Sequence, residues 1–151
     1  MAKFIYRLQN VLDIKYRMET QEKTAYAQAA AKLAAEEEKF QELISRRDAY
    51  EQELRDASSG ALKLKQMQQL NEAIEVMKNL IQKQYLNVKV AQKNLDAARA
   101  RLNAAVQERK IHEKLKEKAF EDFKLELAAE EKKEIDELVS FNYNDANSED
   151  D

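Results

Sequence analysis

Apolar side chains recur along the second half of this chain at alternating steps of three and four. Met67, Leu70, Ile74, Met77, Ile81, Gln84, Val88, Ala91, Leu95, Ala98, Leu102 and Ala105 form the run, and Gln84 alone among them is polar. That narrow stripe is the seam of a helix paired with another helix. Beyond Val106 the pattern loosens: Leu115, Phe120, Phe123, Leu127, Ile135 and Leu138 stand among many charges. In the first half, Phe4, Leu8, Val11 and Met18 share one helical stripe, with Leu12 and Ile14 beside it. Leu33, Phe40, Leu43, Tyr50 and Leu54 continue further on, in a different register, which predicts a stutter between the two stripes. Seven alanines between Ala25 and Ala35 occupy that middle, and small side chains there bury little area.

One place interrupts these stripes. The chain has no proline and a single glycine, Gly60, in Ser58-Ser59-Gly60. Proline breaks helices and glycine weakens them, so this is the marked stop: the serines can cap the next helix and glycine accepts a helix end. The pattern predicts an all-α fold, a two-helix antiparallel coiled-coil hairpin with a longer second helix. Its parts are a helix over 3–55, a turn at 56–60, a helix over 61–141, and an acidic disordered tail over 142–151. At ~1.5 Å per residue the arms are roughly 80 and 120 Å long. Pairing outward from that turn gives partners whose numbers add to about 116 and leaves the last ~25 helical residues without one.

Composition changes this picture little. Charged residues make up 36% of the chain and mean hydropathy is −0.79, which suits a long helix and leaves too few large apolar residues for a multilayer core. Cysteine is absent, so there is no thiol chemistry, and no apolar run approaches a membrane span. The N-terminus interleaves Lys3, Tyr6 and Arg7 with apolar residues, unlike a signal peptide, so a soluble, unsecreted protein is expected. Charge is uneven: residues 99–118 carry seven Lys/Arg against three Glu, and residues 120–151 carry twelve acids against three Lys. The basic stretch is interrupted by Glu108, Glu113 and Glu117, so helical i,i+4 pairing is its plainer reading and no nucleic-acid partner is expected.

Candidate chemistry is excluded more firmly than it is suggested. A phosphate-binding loop needs more than one glycine, so the chain is no such nucleotidase by itself. His112 is the sole histidine, without a second ligand at position 116, so no metal and no cofactor are expected and His112 reads as an exposed helical residue. The hydroxyls have no neighbouring base for nucleophilic work. Enzyme is not the expectation.

The two ends carry a resemblance. Phe4-Ile5-Tyr6-Arg7-Leu8 followed by Val11-Leu12 and Ile14 resembles the start of the flagellar export protein FliJ family. Glu113 to Lys118, then Phe123, and Glu131 to Leu138 are similar to that family's C-terminal arm. The resemblance implies a non-enzymatic, stalk-like component of flagellar type III secretion. Its implied partners are the hexameric flagellar export ATPase, the cytoplasmic domain of the membrane export gate and flagellar substrate chaperones. The implied place is the cytoplasm, peripherally at the inner face of the membrane at the flagellar base, without membrane insertion.

Both termini lie at the open end that the resemblance assigns to the ATPase, so the interface candidates there are Phe4, Tyr6, Arg7, Leu8, Val11, Leu12, Leu115, Phe120 and Phe123. The last three are expected just beyond the paired region. Positions matching the family's gate-facing patch are Leu43, Tyr50, Met77 and Gln84, which also suit plain seam packing; Arg46 and Ala73 stand where some members have larger apolar groups. A competing class is a generic coiled-coil adaptor or chaperone, including hairpins that probe the RNA polymerase channel. Those carry acids at the tip, where this chain offers Asp56.

Overall fold

The computed structural model describes residues 2–58 and 64–149. It is a two-helix hairpin, α1 (Gln9–Ser58) and α2 (Leu64–Glu149), with no strand among the described residues. The helices run antiparallel: Glu36 meets Gln84, Tyr26 meets Arg99, and Tyr16 meets Glu113. Partner numbers therefore add to roughly 120–129 rather than about 116. The shift follows from the turn, because α1 runs on to Ser58 and α2 is helical from Leu64. Ser58 helps by donating its hydroxyl backward to the Leu54 carbonyl at 2.6 Å, closing the last turn of α1 instead of capping α2. Ser59, Gly60 and the expected start of the second helix at 61 lie outside the described residues.

Both outer helix limits also differ from expectation. Residues 2–6 are not helical, and α1 begins at Gln9, whose N–H donates to the Tyr6 carbonyl at 3.3 Å. Phe4, Ile5 and Tyr6 are mediocre helix formers, and Phe4 is engaged with rings on α2. At the other limit α2 continues through 142–149, where an acidic tail without helix was expected; no proline or glycine lies in that stretch to stop it.

The expected stutter in α1 is absent. Burial along α1 falls at 12, 15, 19, 22, 26, 29, 33, 36, 40, 43, 47, 50, 54 and 57, an unbroken alternation of three and four. Leu12 lies on it at 2% exposure, whereas Ile14 and Met18 face outward. Lys15, Glu19, Glu22, Glu36 and Arg47 hold seam positions, and their polarity hid the register. All twelve seam positions foreseen in α2 are buried or half-buried, and the spacing runs on through Arg109, His112, Lys116, Ala119 and Phe123. His112 is accordingly half-buried, not exposed, with Nε2 3.9 Å from Glu108.

The chain divides into two compact units, residues 1–19 with 105–151, and residues 20–104. The core of the second is Leu33, Ala91 and Leu95, with Tyr26, Ala29, Ala30 and Val88 packed around them. Alanines at these positions let the helix axes come close, and Ala98 is fully buried. The first unit has a different interior, described below.

Candidate partner-binding surfaces

In the first unit, the non-helical residues ahead of α1 bring Phe4 onto α2. Its ring lies 5.1 Å from Phe120, edge-on, and 5.4 Å from Phe123, tilted. Tyr6 stacks loosely on Phe4 at 6.5 Å. Phe120 and Phe123, expected beyond the paired region, are thus engaged with Phe4, because the later turn carries pairing further along α2. The seam behind them is charged. Lys15 pairs with Glu108 at 3.1 Å, Glu19 accepts from Arg109, and Arg109 also donates to Glu113 at 2.9 Å. The Tyr16 hydroxyl donates to Glu113 at 2.6 Å. That hydrogen bond, then Arg109, holds the Glu113 carboxyl below the usual carboxylate range, while Glu113 pushes the Tyr16 phenol up. Glu19 and Glu113 raise the Arg109 guanidinium further above its ordinary value.

These contacts sort the candidate residues of this unit. Leu12 is interior and offers no surface, and Val11 is half-buried beside it. Phe4, Phe120 and Phe123 form a cluster that is open on one side; Phe120 remains 39% exposed. Arg7, Leu8 and Leu115 face solvent. The sequence reading missed Ile5, the most exposed large apolar residue described, at 78%. Further on, the stretch of α2 expected to run without a partner does leave its apolar side chains open, and Val139, Phe141 and Tyr143 join Ile135 and Leu138 there. All five are exposed, and from Ala128 to Ser148 no residue is covered. Off-seam apolar residues at spacings of three and four were the available signal for the three that join.

In the second unit, Leu43, Tyr50 and Met77 are half-buried seam residues with an exposed edge. Gln84 is 7% exposed and its amide is engaged: Nε2 donates to the Glu36 carbonyl at 2.8 Å and to the Glu36 carboxylate, and Oε1 accepts from Asn87 at 3.2 Å. It is therefore no surface contact. The same bond, with Lys32 at 3.0 Å, holds the Glu36 carboxyl below its ordinary range. Tyr50 borders a groove of about 530 Å³ whose other walls include Ala57, Leu70 and Ala73. Ala73, small where a larger group was the family expectation, leaves that space open. On the outer face of α2, Val76, Leu80, Leu86 and Val90 are exposed, and Tyr85 carries Lys89 4.8 Å above its ring. Among the described residues there is no cluster of three metal-ligating side chains, and no helix is long and apolar enough to cross a membrane.

Comparison with known proteins adds a family and a fold. The family model described as Flagellar FliJ protein matches residues 4–148. No curated protein matches the chain. Among solved structures, the YscO homolog CT670 from Chlamydia trachomatis superposes with a TM-score of 0.72 at 24% identity, covering 94% of this chain and 96% of that one.

Proposed function

Because this chain belongs to the flagellar FliJ protein family, and so to flagellar type III secretion, we propose that it works as a non-enzymatic, stalk-like binder of the export ATPase ring. The observation that carries this reading is the stretch of α2 from Ala128 to Ser148, where an apolar set including Ile135, Leu138, Val139 and Phe141 has nothing to bury it within the described chain. A helix gains most of its stability from a packed face, and contiguous exposed apolar surface marks an interaction site. Arg7, Leu8, Leu115 and the open side of the Phe4 cluster extend the surface in the same unit. Aromatic and arginine side chains of this kind dominate binding when a partner encloses them. The second unit, through Leu43, Tyr50 and Met77, is the proposed contact of the cytoplasmic domain of the membrane export gate. Escort of flagellar substrate chaperones, and residence in the cytoplasm at the inner face of the membrane, belong to the same reading.

The test is a titration of the purified chain into a cognate hexameric export ATPase. The chain hydrolyses no ATP alone, binds the ring and raises its turnover. Arg7→Ala or Phe120→Ala weakens that binding by more than ~1 kcal/mol with helicity unchanged, while Tyr50→Ala spares it and weakens capture of the gate domain. A ring that neither binds nor responds across the concentration series ends the proposal; a ring lost by Tyr50→Ala alone reverses the assignment of the two units.

A further inference from the structure

The segment ahead of α1 holds polar groups that the helix seam does not use. Residues 2–6 are non-helical, and Phe4, Ile5 and Tyr6 among them line, with Arg7, Leu8 and Ala119, a groove of about 570 Å³. Phe4, Leu8 and Ala119 make its walls apolar. The Tyr6 hydroxyl beside it is buried and has no hydrogen-bond partner among the described residues. A buried O–H without an acceptor is costly, so the site favours any acceptor that enters. At the rim, Arg7 is exposed and, unlike Arg47, Arg101 and Arg109, makes no ion pair among the described residues. No acid stands three or four residues from it on either side, and Lys3 adds a second exposed cation.

The geometry points to a docking groove for an acidic-apolar peptide segment of a partner protein, in which one carboxylate stands beside a leucine- or phenylalanine-sized side chain. The apolar side chain fills the space between Phe4, Leu8 and Ala119, while the carboxylate accepts from Tyr6 and pairs with Arg7. Charge-assisted bonds to one carboxylate supply specificity that apolar contact alone lacks. A flat anionic bilayer fits less well, because the acceptor must enter the groove to reach Tyr6. The inference deepens the proposed ring-binding role by stating what chemistry the partner presents at this place.

The probe is the acetylated, amidated pentapeptide Ala-Leu-Asp-Phe-Ala, with its Asn counterpart as control, added to the ¹⁵N-labelled full chain. The Asp peptide moves the amide signals of residues 4–8 and Ala119 and binds about tenfold tighter than the Asn peptide. Tyr6→Phe and Arg7→Ala each remove most of that preference, Arg7→Lys restores part of it, and Ala119→Leu blocks binding; circular dichroism shows each variant as helical as the original. Equal binding of both peptides, signals that move elsewhere, or no binding overturns the inference. So does Arg7-dependent binding to phosphatidylglycerol vesicles without peptide binding, or an Arg7-dependent self-association. The ring experiment separates the two readings: a ring that binds the original chain and both variants equally ends the groove assignment and leaves the ring role standing. Peptide binding without ring binding does the reverse.

Discussion

The two compact units solve the same pairing problem with different materials. Residues 20–104 join helices chiefly through alanine and leucine, with Leu33, Ala91 and Leu95 packed among Tyr26, Ala29, Ala30 and Val88. They add one buried polar contact, Gln84 on Glu36, and the Glu22–Arg101 pair. Residues 1–19 with 105–151 bury Leu12 and Ala105, and otherwise rely on the Lys15, Glu19, Arg109 and Glu113 pairs and three phenylalanine rings. Apolar close packing is insensitive to salt and forms one fit. Ion pairs at a partly wet seam are screened, contribute little each, and open without leaving a large void. The difference teaches where a partner can enter: the unit with the weaker, charged interior is also the one with apolar surface left uncovered.

The largest expected effect tests the packed unit. Leu33→Ala removes a buried side chain from a seam whose neighbours are too small to close over the space. It should cost about 2–4 kcal/mol in urea unfolding, with the same cost at low and high salt. Ala98→Leu attacks the same unit from the opposite side. Ala98 has no exposed surface, so added methyl groups must part the helices, and a loss of about 1–3 kcal/mol is expected. If either change is silent, close packing is not what joins this unit.

Next in size is the response to pH. Glu113 and Glu36 have carboxyls held below the ordinary range, so each contributes stability that is present above that range and lost as pH falls through the lowered value. Acid should therefore loosen both units. Alkali should distinguish them. Tyr16 has a raised phenol, so its contribution is complete below the ordinary tyrosine value near 10 and is lost as pH climbs through the higher one. Amide exchange near Tyr16 and Phe123 should quicken in that window while Ala91 stays protected, and Tyr16→Phe should remove the alkaline step.

The sequence shows these two interiors unequally. The seam of α2 from Met67 to Ala105 is legible because almost every position is apolar and the period stands out. The seam of α1 is not, since Lys15, Glu19, Glu22, Glu36 and Arg47 occupy inward positions; a reading that follows hydrophobicity moves to Val11, Ile14 and Met18 and invents a stutter. Charges are tolerated there because each finds a partner across or along the seam, which one-dimensional periodicity does not register. The paired extent was short for a related reason, as Ser58 extends α1 past the expected end. Gln84 looks like a surface candidate by position, yet its amide is committed to Glu36. The exposed face at Val76–Leu80 was present as a spacing but competed with the stronger seam pattern, whereas the uncovered run around Ile135 and Leu138 was legible from the unequal lengths of the two helices.

The smallest expected effect bears most directly on whether the charged seam is a strength or a concession. Lys15 holds an inward position with its side chain 22% exposed, and its partner Glu108 is more than half exposed. Such a pair contributes little, so Lys15→Ala should lose less than about 1 kcal/mol, and added salt should shrink even that. Lys15→Leu is the informative change. A leucine at this position suits the heptad and buries apolar area, while Glu108 remains solvated, so stability should hold or rise by up to about 1 kcal/mol. The gain should tighten this unit and weaken the uptake of a partner that must part it, read as slower amide exchange near Phe4 and weaker ring binding. If Lys15→Leu instead destabilises the chain beyond Lys15→Ala, the ion pair fixes the pairing. The two units would then differ in chemistry but not in how firmly they are held.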